Sequence, residues 1–480
     1  MHLLLINIAA IFAYSRLPHN IIGATLPIAF MMQGTLSLLA LSKVAQNKAA
    51  HLASPSILAL TYLTLSYAAG SFTMQQGLGL GSAAYTINHM WQKILQNAGS
   101  ISLTLLSGLA ILTCVACSEA ANRSRALSQH LRSTHQIPAT RHSARAATLF
   151  IAFLLLFVFT ALPLDLSFAG GFGDFSYPVR LTSCISIFIA ARHLPTSLRL
   201  STNAIAIAAM MIQSYDSKRE GLFVLIAAAA IEFATHRTQL RGSTRQFVAT
   251  GFACLTIVVF IAWSSIMRGY GQYHPKSAVE GLSYVPTYLR EPFFWDAAAN
   301  NFETNAVFGN TAYCHVLISQ GRIETQLGAT LIKIAFIPIP RDILPQKPRS
   351  MIDLYTSVVA PQFRQARGSL PVTFPVELYA NFHLPGLILL FPLFIFLDRL
   401  YTHACVVLQN TPRLDEAMQI RVQSGIFLAC TTVLFVRGSG LEMYIIYFLI
   451  GAPLMWITQQ SANSPYQSRT AKQVVLGRRC

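Results

Sequence analysis

Residues 337–349 read Ile337-Pro338-Ile339-Pro340-Arg341-Asp342-Ile343-Leu344-Pro345-Gln346-Lys347-Pro348-Arg349, and residues 376–386 read Val376-Glu377-Leu378-Tyr379-Ala380-Asn381-Phe382-His383-Leu384-Pro385-Gly386. The second segment opens a run, 376–397, that is long and apolar enough to cross a bilayer, and this decides the fold class. In the first segment four prolines fix φ, so Arg341, Lys347 and Arg349 sit on backbone with little freedom. Cations held in this way lose little entropy on meeting an anion, which suits a phosphorylated ligand beside a membrane surface. The alternative is a shaped loop whose cations pair with Asp342 and Asp353, as surface cations often do at little energetic gain. Glu377 and Asn381 are four residues apart and share one face of a helix. A carboxylate and an amide there suit a sugar hydroxyl.

Working outward, the 480-residue chain is 53% hydrophobic and only 11% charged, with a mean hydropathy of +0.49. A soluble domain carries about 25% charged residues. Apolar runs cover 3–14, 21–41, 55–69, 100–117, 147–168, 177–191, 203–212, 222–234, 247–267, 376–397, 424–436 and 441–457. The expectation is an all-α, polytopic integral membrane protein of roughly 11–12 transmembrane helices with one large extracytoplasmic loop. The first run lacks a basic start and reads as a membrane helix rather than a cleaved leader. Residues 71–97 are too polar to cross. The chain divides into an N-terminal bundle (1–267), the large loop (268–375), C-terminal helices (376–458) and a tail (459–480).

A formal net charge of +17 brings nucleic acid to mind, but the cations sit in short loops between apolar runs. That is the positive-inside pattern, and it leaves no nucleic-acid partner to invoke. Alternation places Lys43, Lys48, Arg123, Arg125, Arg132, Arg141, Arg145, Arg192, Arg199, Arg237, Arg241, Arg245, Arg399, Arg413, Arg421 and the tail cations on one side. The other side holds Arg16, Lys93, Arg180, Lys218, Arg219 and Arg437. Both termini are therefore expected in the cytoplasm and the 268–375 loop outside. Arg219 and Arg437 stand out because each sits at a tight outer turn with a glycine just beyond, where backbone can approach a ligand closely. Pairing with Glu220 or Glu442 is the plainer reading.

The eight cysteines form no disulfide framework, and the spacing of Cys114 and Cys117 inside an apolar run reads as packing. In the large loop no DxD pair, metal-ligand spacing or nucleotide-binding glycine loop is present. His274 and His315 are isolated and read as solvated, each a base only by elimination. Trp295 beside Asp296 suits sugar stacking, although aromatics at a membrane face more often anchor it. The apolar segment 327–339 is expected to form an amphipathic or re-entrant helix.

Pro340-Arg341, then Pro345-x-Lys347-Pro348, then Glu377-x-Tyr379-x-Asn381-Phe382 entering an apolar helix resemble the Wzy-type polymerases of oligosaccharide repeat units. Arg219 after a short helix and Arg437-Gly438 near the end are similar to that family too. The resemblance is strongest over 300–440 and weak before 217. His383 departs from it, standing where the family usually has glycine. What the resemblance implies is a glycosyltransferase of the bacterial inner membrane, and the lack of metal-ligand spacing adds the expectation that it needs no metal and no cofactor. Its substrate would be a polyprenyl-pyrophosphate-linked oligosaccharide, polymerised into O-antigen, capsule or exopolysaccharide beside membrane lipid, with a flippase and a chain-length regulator as partners. Arg219, Arg341 and Glu377 would be catalytic, Glu377 as base. Lys347, Arg349, Tyr379, Asn381 and Arg437 would bind substrate. An O-antigen ligase acting on lipid A core, or a polysaccharide transporter, remains the alternative.

Overall fold

The computed structural model describes residues 2–44, 53–77, 84–130, 151–157, 176–191, 194–213, 273–291, 304–336, 343–365, 368–410 and 416–439, with residue 339 and a few single positions within 227–267 besides. Among the described residues every regular element is helical. The principal helices are α1 (His2–Ser15), α2 (His19–Val44), α3 (Pro55–Gln75), α4 (Ala84–Gln96), α5 (Ala98–His130), α6 (Ser176–Ala191) and α7 (Thr196–Gln213). They continue with α8 (Ala278–Tyr288), α9 (Thr304–Ser319), α10 (Met351–Val359), α11 (Phe374–Gly386), α12 (Leu390–Asn410) and α13 (Glu416–Leu434). Four stretches among the described residues, His19–Ser42, Pro55–Gln75, Ala98–Arg123 and Phe374–Leu408, are long and apolar enough to cross a membrane. Helices suit that setting because each satisfies its own backbone polar groups without water. The expected span 441–457, the turn 170–174 and the tail lie outside the described residues, as do most positions of 222–234 and 247–267.

Side-chain bonds fix the helices in alternating directions. Tyr14, at the end of α1, bonds Thr25 Oγ1 at 2.9 Å, near the start of α2. Gln75, ending α3, donates to the Ala24 carbonyl at 3.4 Å. Deeper in the bundle, the Ser37 and Thr113 hydroxyls of α2 and α5 meet at 2.6 Å. These contacts put the start of α2, the end of α3 and the start of α5 at one end of the bundle.

The opposite end holds a buried charge cluster. Arg123 Nη2 of α5 lies 3.7 Å from Asp398 Oδ2 of α12, and both side chains are 1% exposed. Asp398 also accepts from the backbone and hydroxyl of Ser56, which opens α3 behind Pro55. Arg123 Nε donates to Thr402 Oγ1 at 2.9 Å, and its guanidinium lies 5.1 Å from the centre of the Tyr401 ring. Glu119, one turn earlier on α5, faces Arg399 Nε at 3.7 Å. Arg123 was expected in a loop after residue 117, but α5 runs on to His130. A 33-residue helix rises about 50 Å, well past a hydrocarbon layer of about 30 Å. Arg180 and Arg199, also expected in loops, are buried on α6 and α7.

Two apolar cores share α12. Phe394 and Leu397 pack with α2, α3 and α5, whereas Tyr401, Cys405 and Leu408 pack with α6, α7 and α13. Gly425 of α13 permits that last contact, since a Cβ there would stand 2.7 Å from the Leu400 carbonyl oxygen. α9 lies in the first core, with Phe308 6.0 Å from Phe30 and 6.4 Å from Tyr67 between ring centres. The reading of 268–375 as one hydrophilic loop misses this helix, because Asn310, Thr311 and His315 dilute its apolar character. Two of those residues find partners inside: Tyr355 donates to Asn310 at 3.0 Å and the Thr373 backbone donates to Thr311 at 3.1 Å. Where a helix is expected over 327–339, the described residues form a short turn, Ala329–Ile332, followed by a 3-10 turn at Lys333–Phe336.

Removing one partner of a buried pair leaves the other charge stranded, at a cost of about 3–5 kcal/mol. Asp398→Ala should therefore lower the melting temperature of detergent-solubilised protein sharply, and Asp398→Leu combined with Arg123→Met should recover most of the loss. A single Asp398→Ala variant melting with wild type by fluorescence-detected size exclusion would contradict this account.

Candidate functional site

The end of the bundle away from Arg123 and Asp398 is organised by the broken helix α11. It starts at Phe374 with Pro375 in its first turn, where the missing N–H costs nothing and φ is preset. It breaks at His383, whose backbone sits at φ 54° and ψ −151°. Pro385 has no N–H to return to the Asn381 carbonyl, so the helical ladder is interrupted there as well. The chain then doubles back, and a Cβ on Gly386 would lie 2.4 Å from the Leu378 carbonyl oxygen.

A loop from the end of α9 docks on this break. The Gln326 backbone donates to the Ala380 carbonyl at 2.9 Å. Asn381 Oδ1 accepts from the Gly328 backbone at 2.9 Å, and its Nδ2 donates to Thr330 Oγ1 and the Glu377 carbonyl, each at 2.7 Å. Asn381 is 0% exposed, so both ends of its amide are engaged in clipping the loop to the helix. Thr325 Oγ1 in the same loop lies 3.0 Å from His383 Nε2.

Three rings line up beside the clip. His315 of α9 stacks on Tyr379 at 4.2 Å between centres, and Tyr379 meets His383 at right angles at 5.3 Å. His315 Nε2 lies 3.0 Å from Thr104 Oγ1, which also donates to the Ser100 carbonyl at 3.0 Å. Thr104 has one proton, so the network assigns the donor role to His315 Nε2–H. His315 Nδ1 is then a bare acceptor, buried and without a hydrogen-bond partner among the described residues. Burial pushes the imidazole down to about 4, with His383 adding a smaller effect of the same sign. The isolated, solvated histidine expected at 315 is thus a sealed, neutral one at 0% exposure. Nothing in its sequence neighbourhood signals this beyond the apolar residues around it.

The expected site residues fall into three groups. Glu377, Tyr379 and Asn381 come together on α11, with Glu377 at 3% exposure in the first turn beside Cys314. Arg437 lies in the π-helical turn Phe435–Ser439, which packs against the chain that leads into α11. Its neighbour Gly438 has φ 115° and a virtual Cβ 2.1 Å from the Val372 carbonyl oxygen, so no other residue fits there. Phe435 meanwhile packs on Phe374 at 4.4 Å. The glycine expected to admit a ligand instead admits the chain that leads into α11.

Lys347 and Arg349 form the second group, just before α10. Lys347 Nζ donates to the Ile339 carbonyl at 3.2 Å, and Arg349 is exposed. Asp353, suggested as their partner, engages Arg364. Arg219 and Arg341, the third group, lie outside the described residues, as do Trp295 and Asp296. Among the described residues no three His, Cys, Asp or Glu side chains are grouped to hold a metal. Comparison with known proteins finds no matching family model, no similar curated protein and no solved structure of matching fold.

α9 lies outside the four membrane-length stretches, so the ionisation of His315 bears on stability. Its folded value lies below the usual 6.5, so the unfolded chain takes up the proton first as pH falls. Stability is full above about 6.5 and declines toward 4, by about 3 kcal/mol if nothing else titrates. His315→Gln should flatten the dependence of melting temperature on pH across that window. An unchanged slope would show that other groups set it.

Proposed function

We propose that this protein joins lipid-linked oligosaccharide repeat units into a polysaccharide on the outer side of a bacterial inner membrane, with both termini in the cytoplasm. The observation that supports this reading most is the packing of the turn that carries Arg437 against the chain leading into α11, the helix of Glu377 and Asn381. These positions lie far apart in sequence, the resemblance to repeat-unit polymerases picks out both, and the contact of Gly438 with Val372 joins them. An arginine beside the first turn of a broken membrane helix suits an anionic group, through its fork of donors and the partial positive charge of the helix end.

In this reading Arg219, Arg341, Lys347 and Arg437 hold the pyrophosphate of the donor, with Arg349 at the rim. Paired N–H donors stabilise charge as it develops on the leaving group, a role open to arginine without a metal. The acceptor repeat offers a sugar hydroxyl, whose oxygen bonds to the donor's anomeric carbon as the bond to pyrophosphate breaks. Glu377, sealed in the first turn of α11, supports the site from within, and Asn381 orients the helix against its loop. A flippase would deliver the lipid-linked repeat, and a chain-length regulator would act on the product.

The test is polymerisation of a synthetic polyprenyl-pyrophosphate-linked repeat by purified protein in detergent containing EDTA. Polymer should form. Arg437→Ala and Arg341→Ala should each cost about 2–4 kcal/mol of transition-state stabilisation, or roughly 30- to 1,000-fold in rate. Arg→Lys should restore only part, because the fork is lost. Combining Arg219→Ala with Arg341→Ala should cost less than the product of the single losses if both touch one pyrophosphate. No polymer from folded wild-type protein would remove this function, and strictly multiplicative losses would place the arginines in separate sites.

A further inference from the structure

We propose that His383 is the group that accepts the proton from the acceptor hydroxyl, and that Tyr379 and His315 are positioning residues for its imidazole. The inference rests on the polymerase reading and assigns the base within that site.

Four observations carry it. First, His383 holds φ 54° and ψ −151°, a conformation that glycine adopts freely and other residues adopt only at a cost. A turn alone would favour glycine here, so the strained histidine points to a role for its side chain. Second, the ring is held on two sides, by the Thr325 hydroxyl at Nε2 and by the perpendicular Tyr379 ring. Tyr379 is itself backed by His315, which Thr104 fixes from α5. An imidazole braced in this way is preorganised for proton transfer.

Third, His383 is exposed, whereas Glu377 and His315, two titratable groups on the elements packed beside it, are buried. Glu377 is 3% exposed and His315 is 0% exposed. Fourth, the surroundings of His383 are those of a water–membrane boundary. Arg322 and Glu324 are exposed in the loop that carries Thr325, while Phe382, Leu384 and Ile388 are exposed apolar side chains along the chain around it. A lipid-linked sugar presents its hydroxyls at that boundary.

When His383 Nε2–H donates to Thr325, Nδ1 carries the free lone pair. It takes the proton of the acceptor hydroxyl, and the oxygen of that hydroxyl forms its bond to the anomeric carbon. The carbon–oxygen bond to pyrophosphate breaks with its electron pair leaving on the phosphate. The imidazolium then returns its proton to water.

The decisive variant is His383→Gly, because strain and chemistry predict opposite changes. Glycine relieves the backbone, so the variant should melt at or above the wild-type temperature in detergent. Without the base its polymerisation rate should fall about 100-fold or more, and the acid limb of the wild-type pH–rate profile should vanish. His383→Gln serves as the second variant: it can keep a bond to Thr325 but accepts no proton, and should be folded and similarly slow. Either folded variant working within about threefold of wild type, with the acid limb intact, overturns the assignment while leaving the polymerase reading in place. Wild-type protein that makes no polymer removes the reading underneath and the assignment with it.

Discussion

Asp398 and Arg123 are both 1% exposed inside an apolar bundle, and a charge so placed is tolerable only when its partners are built in. The carboxylate takes Ser56 from α3 and Arg123 from α5, and the arginine takes Thr402 from the helix that carries Asp398. Three helices are thereby held at one depth and in one register. Shifting any of them by a turn would leave a buried charge without its partner. Everything at the far end inherits that register: the depth at which α11 begins, the level of Thr104 against His315, and the approach of the Phe435–Ser439 turn to Val372.

At the far end the constraint is of another kind. The polar groups there are mostly neutral, and they are used to hold a helix that does not run straight. Tyr67 meets Thr373 at 2.7 Å just before α11 begins, and Asn381 clips the α9 loop to its other end. A break in a helix exposes backbone groups that need partners, and the Gln326 amide supplies one to the Ala380 carbonyl. The arrangement resembles the broken helices that line binding sites in other membrane proteins, where irregular backbone appears only beside a cavity or a ligand. Here the break carries a histidine in a glycine-like conformation, which concentrates both strain and chemistry at one residue.

Much of the fold was legible because bilayer length leaves a strong mark. The runs at 21–41 and 55–69 fall within membrane-length helices of the structure, and 376–397 falls within an apolar stretch of that length which breaks at His383. α9 was not legible, because a helix packed in a protein core rather than in lipid needs no continuous apolar run. Its Asn310, Thr311 and His315 lower the hydropathy that a span would show, and their partners come from residues far away in sequence. The extension of α5 through Arg123 was hidden for a related reason, since a basic residue after an apolar run looks like a loop until its carboxylate is seen. At the site, the four-residue spacing of Glu377 and Asn381 predicted a shared face correctly. It did not predict that Asn381 would spend its amide on the chain itself, or that His315 would be sealed against Tyr379.

In the proposed orientation the broken helix and its histidines face outward and the Arg123–Asp398 cluster faces the cytoplasm. Single cysteines in an otherwise cysteine-free chain test this directly, using exposed positions at the two ends: Gln320, after α9, and Ser42, near the end of α2. With a membrane-impermeant thiol reagent, a cysteine at 320 should be labelled in intact cells, and a cysteine at 42 only after permeabilisation. Labelling of position 42 from outside, with position 320 protected until the membrane is opened, would contradict the orientation on which the whole reading depends.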